Sequence, residues 1–147
     1  MHPIHPMIVH FPIALLIVAV MFELLAMRWR TSGLRDASLY TLVAGVVGAG
    51  LAIITGKMAE EGMEESGIPD ALLDIHEGLG YATFWIFLGL FALRVLIRRG
   101  WLRERPALTI GLGLVGIGVL AATGYYGGSL VYDFGAGVTR LIAVGEP

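Results

Sequence analysis

Apolar residues run almost unbroken through four stretches of the chain, residues 7–27, 39–56, 79–97 and 108–126, and polar residues gather in the intervals between them. A helix rises about 1.5 Å per residue, so about twenty residues cross the ~30 Å hydrocarbon layer of a bilayer. The pattern predicts an all-α fold: a four-helix transmembrane bundle in one domain, followed by a tail over residues 127–147. Composition agrees. The chain is 56% hydrophobic and 15% charged, whereas soluble domains carry about 25% charged residues. The first apolar run is too long for a signal peptide and has no basic stretch before it, so it reads as a retained helix.

The charges give the bundle a sidedness. Arg28, Arg30 and Arg35 lie between the first two stretches, and Arg94, Arg98, Arg99, Arg103 and Arg105 surround the end of the third. These are eight of the ten basic residues; only Lys57 and Arg140 lie elsewhere. Basic residues stay cytoplasmic, so the expected topology is multi-pass in a bacterial inner membrane with both termini periplasmic. Trp29 and Trp101 suit the inner interface, and Tyr81, Tyr125 and Tyr126 the outer one.

Each half of the chain then forms one out–in–out hairpin. His10 precedes Thr55-Gly56 by 45 residues, and His76 precedes Thr123-Gly124 by 47. The expectation is two parallel helical-hairpin repeats about an axis along the membrane normal.

All four histidines, His2, His5, His10 and His76, fall at the outward end. With no cysteine, thiolate metal sites, disulfides and covalently attached haem are excluded. An imidazole at membrane depth is a functional candidate. Pro12 has no N–H, which frees a carbonyl one turn earlier and makes the helix entry irregular. Two neutral imidazoles from facing helices could hold the iron of haem b, with His10 and His76 as the axial pair and His5 beside them. The small face of Gly45, Gly48, Ala49 and Ala52, the glycines at 111, 113, 116 and 118, and the rings of Phe11, Phe84 and Trp85 could form the slot. The alternative is a Zn or Cu site of His5, His10 and His76, with Glu77, Asp74 or Asp133 supplying an oxygen. A third class is a cofactor-free transport or structural subunit using Glu23, His10 and Asp133. Against it, Glu23 lies within snorkelling reach of Arg28 or Arg30, and no polar path crosses the membrane. Within the acidic segment 60–77, the run Glu60–Glu65 reads as a solvated loop.

The tail begins "GGSLVYDFGAGV". Its glycines allow it to fold back over the outward mouth, where Tyr132 or Asp133 could hydrogen-bond to a ligating histidine.

"HPMIVHFPIALL" near the start and "GGSLVYDFGAGV" near the end resemble the bacterial membrane family catalogued as domain of unknown function 2231. The motif residues are His5, Pro6, His10, Phe11 and Pro12, then Thr55-Gly56, His76, and positions 127–138. Members of that family occur joined to Rieske-type or cytochrome c-type domains, which implies a redox setting. Where relatives carry a more basic or histidine-containing stretch after the LVY, this chain has Asp133-Phe134. Together these readings predict a membrane b-type cytochrome. It would pass single electrons between a lipid quinol or membrane partner and a periplasmic carrier, alone, as a homo-oligomer or as a subunit of a redox complex.

Overall fold

The computed structural model describes residues 4–29, 31–60 and 68–136. Five helices follow one another: α1 (Ile4–Ile8), α2 (His10–Trp29), α3 (Ser32–Glu60), α4 (Asp70–Arg98) and α5 (Pro106–Tyr132). α1 and α2 together form the first membrane-length segment, and α3, α4 and α5 the other three. The chain is a four-helix membrane bundle.

The break at Val9 has a local cause. Pro12 cannot donate a backbone hydrogen to Ile8, its partner one turn back, and the helix divides at that point. The remaining bonds, Val9 N–H to His5 O at 3.1 Å and Ile13 N–H to Val9 O at 3.2 Å, carry the chain through the bend. At the other end of the bundle, α4 stops at Gly100, whose φ of 74° is natural only to glycine. Trp101 N–H reaches back to Leu96 O at 3.0 Å, a Schellman closure. Pro106 then opens α5 at a position where its missing N–H costs nothing.

Helices α3, α4 and α5 outrun their apolar stretches. Hydropathy measures how much of a helix lies in hydrocarbon, and the polar residues that follow are competent helix formers outside it. One departure corrects an expectation, that "GGSLVY" leaves the bundle. Instead α5 runs through both glycines to Tyr132 and turns at Gly135, where φ is 70°.

Helix α2 packs most closely on α3, and α4 on α5, giving two hairpins; α3 against α4 and α2 against α5 join them. Lipid is as apolar as leucine, so burial alone does not hold such helices together, and close approach at small residues does. A Cβ on Gly45 would stand 2.6 Å from Leu16 Cδ2, and one on Gly116 2.8 Å from Phe87 Cζ. Leu16 and Phe87 are fully buried at the centre of the core with Leu42, Leu90 and Leu120. Large apolar residues such as Val47, Ile54, Leu114 and Val115 remain exposed and suit the lipid surface.

These contacts obey one interval. Leu16 and Phe87 lie 71 residues apart, as do Gly45 and Gly116. Ser38 and Thr109, both buried polar residues, keep the same spacing. The two hairpins are structural repeats in this register. Gly45→Ala and Gly116→Ala should therefore destabilise alike, by about 1–3 kcal/mol each for overpacking. Gly118→Ala, with open space around it, should not. Thermal melts in detergent would show this, and equal melting temperatures for the three variants would count against it.

Candidate functional site

The same interval of 71 residues joins His5 to His76 and Gly56 to Gly127. The structure brings these four residues together at one end of the bundle. His5 Nδ1 lies 3.2 Å from Thr55 Oγ1. That hydroxyl donates to the carbonyls of its own helix, Leu51 O at 3.0 Å or Ala52 O at 3.2 Å, so it accepts from the imidazole. His76 Nδ1 lies 3.1 Å from Thr123 O, which can only accept. The His76 ring therefore carries its proton on Nδ1 and keeps a lone pair on Nε2, and the His5 ring does the same when the Thr55 hydroxyl donates to its own helix. Thr123 also joins α5 to α4 through its hydroxyl, 3.1 Å from Thr83 Oγ1.

Glycine makes room for each ring. A Cβ on Gly56 would lie 3.2 Å from His5 Cε1, and one on Gly127 would lie 2.8 Å from His76 Cε1. The ring centroids stand 6.3 Å apart with their planes at 85°. Both histidines are half-buried. Beside them Lys57, one residue after Gly56, forms an ion pair with Glu77, one residue after His76, and reaches Glu60 at 3.1 Å. This pair ties α3 to α4 at the mouth of the site.

His10 takes no part in this arrangement. It is exposed, and its Nδ1 lies 2.6 Å from Pro6 O, one turn back on its own chain. The pair assembled is His5 with His76, not His10 with His76. Helix geometry explains the change: five residues turn a helix by about 140°, so His5 and His10 point different ways, and it is His5 that faces α3 and α4. Nor does the set His5, His10 and His76 converge. Among the described residues no group of three or more His, Cys, Asp or Glu side chains forms a metal cluster.

Tyr132 and Asp133 are both exposed, Tyr132 at 89%. With α5 continuous through Gly127, neither is folded back from that point over the histidines. Residues 137–147 of the tail lie outside the described residues, as does His2. Phe11 and Trp85 are also exposed, at 70% and 63%. Phe84 packs on the core and edge-on against Trp85, with centroids 5.2 Å apart. Sequence reasoning passed over Thr55, Thr123 and Gly127 as parts of the site. The constant interval from His5 to His76 and from Gly56 to Gly127 was the signal that could have found the last of these.

The family model described as predicted membrane protein (DUF2231) matches residues 1–140. The chain belongs to the DUF2231 family. No curated protein and no solved structure matches it. In this DUF2231 chain the family match spans both histidines, both glycines and both threonines of the site. The glycine pair of the closing motif, Gly127-Gly128, thereby acquires a physical reason at its first member: a side chain at Gly127 would occupy the place of the His76 ring.

Proposed function

We propose that this protein is a membrane b-type cytochrome whose haem iron is held by His5 and His76. The observation that carries the reading is the pairing of one equivalent imidazole from each repeat across the pseudo-twofold axis. Two equivalent ligands suit an atom on the axis between them. Metal–imidazole bonds of about 2.0–2.1 Å with the metal in line between two rings put the ring centroids roughly 6 Å apart. The separation of 6.3 Å has that magnitude.

The donor chemistry fits as well. A ligating histidine generally gives its second N–H to an oxygen acceptor, which fixes the tautomer and raises the basicity of the ligating nitrogen. Thr55 Oγ1 and Thr123 O are such acceptors. Gly56 and Gly127 let both rings sit close to the backbone of α3 and α5. Bound haem supplies a one-electron redox centre. His5 and His76 would hold its iron, each oriented by its contact to Thr55 or Thr123.

The rule that Lys and Arg stay cytoplasmic supports a histidine end on the periplasmic side of a bacterial inner membrane. Electron exchange then takes place at that face, between a lipid quinol or membrane partner and a periplasmic carrier. A zinc or copper site is the alternative ligand for the same two imidazoles.

An absorption spectrum of protein purified from haem-replete cells, oxidised and then reduced with dithionite, tests the proposal. The expected result is a six-coordinate low-spin b-type spectrum. A colourless protein carrying stoichiometric zinc or copper would overturn the haem reading.

A further inference from the structure

At the opposite end of the bundle an ion pair lies between α2 and α4. Glu23 Oε2 stands 2.6 Å from Arg94 Nη2, and the two side chains are only 14% and 11% exposed. Arg94 directs its hydrogens elsewhere. Nη1 donates to Ser38 Oγ at 2.6 Å and Nη2 to Arg35 O at 3.2 Å. Ser38 Oγ donates in turn to Ala19 O at 2.6 Å. Glu23 Oε2 accepts no aligned hydrogen bond, so Arg94 holds it by charge. The neighbouring charges are already matched: Arg98 with Asp36 at 2.5 Å and Arg35 with Glu104 at 2.9 Å.

Glu23 and Arg94 are also 71 residues apart. They hold the same position in the two repeats and meet each other between the hairpins. Along this seam the other equivalent pairs are alike in character: His5 with His76, Leu16 with Phe87, Ala19 with Leu90. Those pairs differ in size but not in polarity or charge. A hairpin meeting a second copy of itself would find an apolar seam and another histidine. Among these equivalent pairs Glu23 with Arg94 is the one of opposite charge; the other ion pairs between the hairpins, Lys57–Glu77, Arg98–Asp36 and Arg35–Glu104, are more exposed and join unlike positions. Two first hairpins would press Glu23 against Glu23, and two second hairpins Arg94 against Arg94. A like-charged pair at this depth has no water to screen it and is strongly unfavourable.

We propose that Glu23 and Arg94 decide which hairpins pair: a first hairpin accepts only a second hairpin, from its own chain or from another copy of this chain. The partner that the seam fits is therefore the complementary hairpin of the same sequence. Exchange of hairpins between two copies preserves every contact, including His5 with His76.

The test uses two full-length, differently tagged copies. One carries Glu23→Arg and so has arginine at both positions; the other carries Arg94→Glu and has glutamate at both. Each alone meets a like charge across the seam. Co-expressed, they restore two Arg–Glu pairs by exchanging hairpins. The chain has no cysteine, so Lys57→Cys in the first copy and Glu77→Cys in the second report exchange as an interchain disulfide. The link should form at least about tenfold more than between copies with native residues at 23 and 94, a ratio worth ~1.4 kcal/mol. The reversed chain Glu23→Arg/Arg94→Glu should fold like the native one and show only the native level of linking. A link no stronger than in the native pair would overturn the proposal. So would a reversed chain as poorly recovered as the single variants. Neither outcome depends on whether haem is the ligand at the other end.

Discussion

His5→Ala and His76→Ala should each lower haem content per protein at least about tenfold, while His10→Ala purifies with its full complement. Removing a group that only supports a metal ligand already costs 10–100-fold in affinity, and removing a ligand should cost no less. The equivalence of the two losses follows from the repeat: each imidazole comes from one hairpin, with its Nδ1 anchored to an oxygen of Thr55 or Thr123. His10 is spared because it is exposed and bonded to Pro6 O on its own turn. Pyridine haemochrome assays on the three purified variants measure this. If His10→Ala emptied the protein as fully as His76→Ala, while His5→Ala kept its haem, the pair assembled by the bundle would not be the ligand pair.

Gly127→Ala should damage the same site without touching a ligand, and Gly124→Ala should leave it intact. The two glycines are three residues apart on one helix and differ only in what lies beside them. A methyl group at 127 would stand 2.8 Å from His76 Cε1, whereas nothing lies within 4 Å of one at 124. The His76 ring cannot retreat without lengthening its 3.1 Å bond to Thr123 O. The expected result for Gly127→Ala is a loss of haem affinity of about tenfold or more, the scale found when a ligating histidine is disoriented. Gly124→Ala should bind normally and melt slightly higher, since alanine is favoured over glycine in a helix by about 1 kcal/mol. Haem titration of the two apo-variants, with a thermal melt of each, separates these outcomes. Equal affinities would show that the close approach at Gly127 is not part of the site.

Four spans, their all-α character and the existence of two hairpin repeats follow from the sequence by itself, because hydrocarbon imposes one length and one polarity on every segment that crosses it. The irregular entry before Pro12 is equally local: a missing N–H acts on its own turn whatever surrounds it. His5, His76 and the Thr-Gly and Gly-Gly motifs also stand out as residue types. Their partnerships do not. In the sequence His10 is the expected mate of His76, because each precedes a Thr-Gly pair by a similar interval, 45 and 47 residues. In the structure His10 is exposed and bonded to its own turn, and His5 takes that place. Arg28 and Arg30 lie nearest Glu23 along the chain, yet Arg94, 71 residues away, is the residue that meets it. The glycines at 45, 116 and 127 look like those at 118 and 124 until a facing side chain distinguishes them. Hydropathy and helix propensity act within one segment and are written locally. Register, pairing across an axis and close approach depend on the relative placement of two helices, and only the tertiary structure decided those.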